Sequence, residues 1–222
     1  MLDLKLSYLD FPEGRGGEAE RLAFHLGGVA FEDDRYPLDD VVSIVLRAQT
    51  MQVSVLQVGE FQFHHQDAVA EIARYVGRVS KLYPDDPLQA LLCDVVLGRV
   101  EDTLARIGAT CWQDDEARQT ARHTLVMHHL PAALAWLQTR LEMGGGEYFA
   151  NHALTMADLK VFTLVRSLNF GRLQHIPTDL VAQCAPSLNE HRQRIEMIPA
   201  VVQYYARSSV LPSVPASTQS VS

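Results

Sequence analysis

The chain changes its hydrophobic rhythm about a third of the way along. Up to Gly77 short alternating runs are interleaved with helical ones, and beyond it only the helical period remains. Leu4, Leu6 and Tyr8 alternate with Lys5 and Ser7, which predicts a strand with one buried face. The turn-forming stretch from Asp10 to Gly17 leads into Ala19, Leu22, Ala23 and Leu26, which share one helical face, and Gly27-Gly28 stops that helix. Val29 to Arg35 suits a second strand, Pro37 to Arg47 a polar-to-helical stretch, and Val53 to Val58 a third strand. Gly59-Glu60 turns the third strand into Phe61 and Phe63, and a two-residue turn makes those two strands antiparallel. The period then switches from 2 to 3.6 at Gln66-Asp67, with Val69, Ile72, Ala73 and Val76 at i, i+3, i+4 and i+7 and Asp67 as the expected N-cap. A helix start of this kind is also where backbone N–H groups hold an anion.

The order β-α-β-α-β-β-α is that of a thioredoxin-like α/β domain, and it occupies residues 1–79. Residues 80–87 hold two prolines and two acids and read as a linker. From 88 to 208 the pattern is that of an all-α helical domain: Leu88 to Ile107 marks a long helix, and Arg118 to Leu141 another that Pro131 kinks or divides. Gly144-Gly145-Gly146 ends that second helix. Thr155 and Asp158 form a capping box ahead of an apolar run, and Pro186 and Pro199 each open a later helix. The Ser/Val/Pro/Thr mixture of 209–222 reads as a disordered tail.

With 47% hydrophobic and 21% charged residues in 222, the composition is that of an ordinary globular protein. A net charge of −8 without clustered Lys/Arg argues against nucleic acid or an anionic membrane as partner. Cys93, Cys111 and Cys184 are odd in number and far apart, which fits buried small hydrophobes in a reducing, cytoplasmic setting. No signal peptide or membrane-length apolar run is apparent. His64-His65 and His128-His129 are adjacent pairs whose side chains diverge, so neither makes a metal site, and no zinc-type spacing exists.

Five strings in order carry a resemblance to a known family: Lys5-Leu6-Ser7-Tyr8, Phe31-Glu32-Asp33, Ile72-Ala73-Arg74-Tyr75, Leu154-Thr155-Met156-Ala157-Asp158 and Ile198-Pro199-Ala200-Val201. The chain resembles the cytosolic glutathione S-transferases over residues 3 to 207, nearest to the sigma class that includes haematopoietic prostaglandin D synthase. The resemblance implies glutathione as co-substrate, no metal, a homodimer, and detoxification-type conjugation of the thiolate to a hydrophobic electrophile. Tyr8 takes the place of the family's catalytic tyrosine, whose phenol donates to the glutathione sulfur, and Arg15 that of the arginine supporting it. Gln52 and Val53 match the segment that contacts glutathione through side chain and backbone. Ser54 stands where the family carries a cis-proline, and because a non-proline cis bond costs about 2.5–4 kcal/mol a trans peptide is expected. The family's Gln-Ser pair, which binds the γ-glutamyl end, becomes Ala68-Val69 by one alignment and Gln66-Asp67 by the preferred one. Asp94 resembles an acid that reaches across the family's dimer, and the Leu125 to Leu141 stripe would serve as core and wall of the hydrophobic site. A strand-end aromatic, a solvated loop arginine and a helix-surface carboxylate are the plain alternatives for Tyr8, Arg15 and Asp94. A non-catalytic binding or structural protein on the same fold is the alternative function, and isomerisation of a lipid peroxide a narrower one.

Overall fold

Leu4, Leu6 and Leu56 turn their side chains to one face of a sheet and are buried there, while their neighbours Lys5 and Gln57 stay partly wet, the alternation a half-covered sheet requires. The computed structural model describes residues 3–11, 16–37 and 55–208. Its sheet has four strands, β1 (Leu4–Leu9), β2 (Glu32–Tyr36), β3 (Val55–Val58) and β4 (Phe61–His64), in the spatial order β2-β1-β3-β4. β1 runs parallel to β2 and antiparallel to β3, and β3 and β4 form a hairpin. Helix α1 (Glu18–Leu26) connects β1 to its parallel neighbour β2, and α2 (His65–Val79) follows β4 directly. This is a thioredoxin-like α/β layer.

The second strand begins at Glu32, three residues later than the hydrophobic run predicts. Val29 is used in leaving α1, its N–H donating to the Phe24 carbonyl at 2.9 Å, and Phe31 stacks on Phe24 with ring centroids 4.7 Å apart. The start of α2 also differs from expectation. The N-cap is His64 rather than Asp67, no side chain caps it, and Ala68 (φ −145°, ψ 31°) interrupts the helix after its first turn. Val53-Ser54, on which the trans-peptide expectation falls, and Pro37 to Arg47 apart from Pro37 itself lie outside the described residues.

The rest is helical: α3 (Pro87–Gly108), α4 (Asp115–Thr124), a π-helical turn at Leu125–His129, α5 (Leu130–Met143), α6 (Met156–Asn169), α7 (Leu180–Cys184), α8 (Pro186–Glu196) and α9 (Pro199–Ser208). Pro131 explains the π turn. It has no N–H to continue the α ladder, and the preceding Leu130 N–H reaches back five residues to the Leu125 carbonyl. Asp114 caps α4 by accepting from the Ala117 N–H at 2.9 Å, so that helix starts before Arg118.

Helix α6 is the axis of the bundle, with nearly every residue buried as the apolar run demands. Its start is closed by Asp158: Oδ2 accepts from the Thr155 N–H at 2.8 Å and from the Thr155 hydroxyl at 2.7 Å. Oδ1 accepts from the Phe149 N–H at 3.1 Å and lies 3.0 Å from His191 Nε2. The Met156 N–H donates to the Leu82 carbonyl at 2.7 Å, pinning the segment between α2 and α3 onto α6.

Candidate functional site

Tyr8 stands near the C-terminal end of β1, beside the parallel strand β2, and the loop after it returns as the N-terminus of α1. Its ring lies against the backbone of that return. A Cβ built on Gly16 would sit 1.9 Å from the ring, and one on Gly17 3.3 Å from it. Gly16 also holds φ +75°, so two independent constraints require glycine there. On its other sides the Tyr8 ring meets Phe11, with centroids 6.3 Å apart, and His65, 5.4 Å away with the ring planes at 87°. Tyr8 is half-buried and His65 buried. The end of β1, the N-terminus of α1 and the first turn of α2 therefore meet in one corner around the Tyr8 ring.

Gln66 and Asp67 lie on that first turn of α2, next to His65. Ala68 and Val69, their counterparts in the other alignment, are both partly buried, and Ala68 packs against the core. Arg15, Gln52 and Val53 lie outside the described residues. Asp94 is away from this corner in its bonding: its Oδ1 accepts from Arg74 Nε at 2.8 Å and from the Tyr83 hydroxyl at 2.7 Å. Burial, and then that hydrogen bond, push the Tyr83 phenol up to about 12. Cys93 is buried and its thiol pushed up to about 12 by desolvation, so it is no thiolate nucleophile at neutral pH.

A set of ion pairs ties β2 to α1 and to Tyr204 of α9. Arg21 Nε donates to Asp33 Oδ1 at 2.6 Å, and Arg35 donates to Asp33 at 2.7 Å, to Asp10 at 2.9 Å and to the Tyr204 hydroxyl at 2.9 Å. Burial pushes the Glu18 carboxyl above its ordinary range despite Arg21 and Arg35. Lys160 bridges Glu20 and Glu101 at 2.9 and 2.8 Å. Of the Leu125 to Leu141 stripe, Leu130, Leu134, Leu137 and Leu141 are core, while Met127 is exposed. The cavity beside Leu125 and Leu130 is mixed in character, bordered also by Arg99, Asp102, Arg106 and His129. Among the described residues no group of three or more His, Cys, Asp or Glu is placed to hold a metal, and no helix is long and apolar enough to cross a membrane.

Sequence reasoning missed His65 as a neighbour of Tyr8 and the Glu20–Lys160 pair. The available signal was a charge inside an apolar run, Leu159-Lys160-Val161-Phe162, which demands a buried partner.

Residues 101–208 match the family model described as "Glutathione S-transferase, C-terminal domain". The chain is 25% identical over 213 residues to glutathione S-transferase 3 of Caenorhabditis elegans, covering 93% of this chain and 97% of that protein. It is 27% identical over 204 residues to hematopoietic prostaglandin D synthase of Gallus gallus, covering 92% and 96%. It shares the fold of the Fasciola hepatica sigma class GST with a TM-score of 0.74 at 23% identity, covering 93% and 96%.

Proposed function

The chain belongs to the glutathione S-transferase family, and from that premise we propose that it transfers the thiolate of glutathione to a hydrophobic electrophile, with Tyr8 donating a hydrogen bond to the sulfur. The observation that carries this is the packing of the Tyr8 ring on Gly16 and Gly17 between two helix N-termini. That packing fixes a phenol beside backbone donors suited to the carboxylates of a tripeptide. A phenol that bonds the thiolate better than the thiol lowers the thiol pKa, each unit being about 1.4 kcal/mol of differential stabilisation. Gln66 and Asp67 take the γ-glutamyl end, Asp67 pairing with its ammonium. Asp67 also repels the adjacent carboxylate, which predicts weaker glutathione binding than a Gln-Ser pair gives. Arg15 supports Tyr8, and Gln52 and Val53 hold the cysteinyl portion. Asp94 reaches across the dimer, its Oδ1 held by Arg74 and Tyr83.

The homodimer is supported by apolar surface. Leu88, Leu91 and Val95, at i, i+3 and i+7 of α3, are exposed together, as are Phe61 and Phe63 on one side of β4. The enzyme assignment is tested by glutathione calorimetry combined with conjugation rates for wild type and Tyr8→Phe. Binding by both proteins, with turnover lowered on the order of 10- to 100-fold in the variant, is expected for loss of one to two pKa units of thiol activation. Absence of binding by the wild type sinks the assignment, and unchanged turnover removes Tyr8 from the mechanism.

A further inference from the structure

Arg21 of α1 is enclosed, being 1% exposed, yet its hydrogen bonding is incomplete. Nε donates to Asp33 Oδ1 at 2.6 Å and Nη1 lies 3.8 Å from Glu18 Oε2, but Nη2 has no hydrogen-bond partner among the described residues. A buried cationic donor left unused is costly, and such a donor is normally satisfied by water, an ion or a ligand.

Arg21 also forms part of the wall of a cavity of about 380 Å³ between the end of α1, the loop into β2 and α9. The local sequence makes this space. Gly27-Gly28 ends α1, with Gly28 at φ +64° and no atom within 4 Å of where its Cβ would stand. The chain then turns so that the Val29 N–H reaches the Phe24 carbonyl and the Phe31 ring lies on that of Phe24. Tyr204 of α9 supplies another wall, its ring 5.4 Å from that of His25. Mostly apolar and aromatic walls with a few polar groups, at a volume within the range of about 300–1,000 Å³, are the make-up of a small-molecule pocket. Neither Tyr8 nor any residue packed on its ring borders it.

The charges around Arg21 favour a single anion. Asp33 borders the cavity as well, but its two oxygens are engaged by two guanidiniums, Oδ1 by Arg21 and Oδ2 by Arg35. Burial holds the Glu18 carboxyl above its ordinary range, which weakens it as a counter-ion to Nη1. A carboxylate matches a guanidinium in shape and brings only one negative charge beside Asp33, whereas a phosphate dianion brings two. Aromatic walls suit a flat apolar body. We propose that this cavity is a second binding site, for a small aromatic monocarboxylate whose carboxylate accepts from Arg21 Nη2 while its ring lies against Phe24, Phe31 and Tyr204. The inference stands apart from the assignment of Tyr8.

The test is a titration of the 15N-labelled full chain with 1-naphthoate, followed through backbone amide shifts. Saturable shifts are expected at Gly28, Val29, Ala30 and Phe31. The neutral 1-naphthalenemethanol keeps the rings without the charge and should bind there at least about tenfold more weakly. Ala30→Trp fills the cavity without touching Arg21 and should abolish the naphthoate shifts at Gly28, Val29 and Phe31. Arg21→Gln should weaken naphthoate about tenfold and leave the alcohol unchanged; if that variant does not fold, Ala30→Trp and the alcohol decide. Naphthoate that leaves this loop unshifted, an alcohol that binds there equally well, or shifts that persist in Ala30→Trp would each overturn the inference.

Discussion

The Tyr8 corner depends on one residue without a side chain. At Gly16, φ +75° is a conformation that costs an L-residue about 1–2 kcal/mol, and the Tyr8 ring fills the space a methyl group would need. Gly16→Ala should therefore lower stability by about that amount in urea titration and displace the phenol. Misplacement of a catalytic group by about an ångström costs on the order of 100-fold in rate. The variant should accordingly bind glutathione yet turn over on the order of 100-fold more slowly, and an unaltered rate would show that Tyr8 tolerates displacement. Asp158 is the second residue on which much converges, because its two oxygens serve two backbone N–H groups, a hydroxyl and His191. Asp158→Ala leaves several buried donors unpaired at about 1–3 kcal/mol each. A drop of at least about 3 kcal/mol in unfolding free energy is expected, and a drop below about 1 kcal/mol would mean that water replaces the carboxylate.

At the level of elements, the sequence was most legible where a local rule acts alone. The alternation at Leu4 and Leu6, the turn at Gly59-Glu60 and the Thr155–Asp158 capping box each specify their own geometry and are carried by the structure, whereas at the end of the strand the alternation breaks, Ser7 being buried and Tyr8 half-buried. The hydrophobic run places the second strand three residues too early, because Val29 and Phe31 look like strand residues but serve to close α1. The expected helix start at Asp67 differs from the structure for a related reason: Asp has a strong intrinsic preference for the N-cap, yet the chain enters the helix straight from β4, at His64. Pro131 was recognised as a break, although its consequence, a π turn ahead of it rather than a kink, depends on which carbonyl the displaced N–H finds. The candidate site was legible only in part. Tyr8 could be picked out as the end of a strand, whereas His65 and Gly16 meet it through contacts between segments that no local period encodes.

At the scale of the whole molecule, the sheet layer and the bundle are joined by the Glu20–Lys160–Glu101 cluster. Lys160→Met strands Glu20 without its partner and should cost about 3–5 kcal/mol, while Glu20→Leu combined with Lys160→Met should recover most of that. The pH dependence has a definite sign. Glu20 lies below its ordinary value of 4.5, so its contribution is present above that pH and is lost as the pH falls. Burial lowers the Lys160 ammonium, but Glu101 and Glu20 outweigh it and hold the group above its ordinary 10.5; its contribution is full below that pH and is lost as the pH rises through the folded value. Urea titrations across pH should show a plateau between these limits in the wild type and weaker shoulders in the double variant; identical profiles would contradict the assignment. The apolar set on α3 predicts that Leu91→Lys yields a monomer in sedimentation experiments where the wild type is a dimer, and a wild-type monomer would remove the dimer from the account. The measurement that bears most directly on the central claim is the pKa of the glutathione thiol in the complex, read from thiolate ultraviolet absorbance against pH. The account predicts a value well below the ordinary thiol value of about 8.5 in the wild type, returning toward it in Tyr8→Phe; equal values in the two proteins would contradict it.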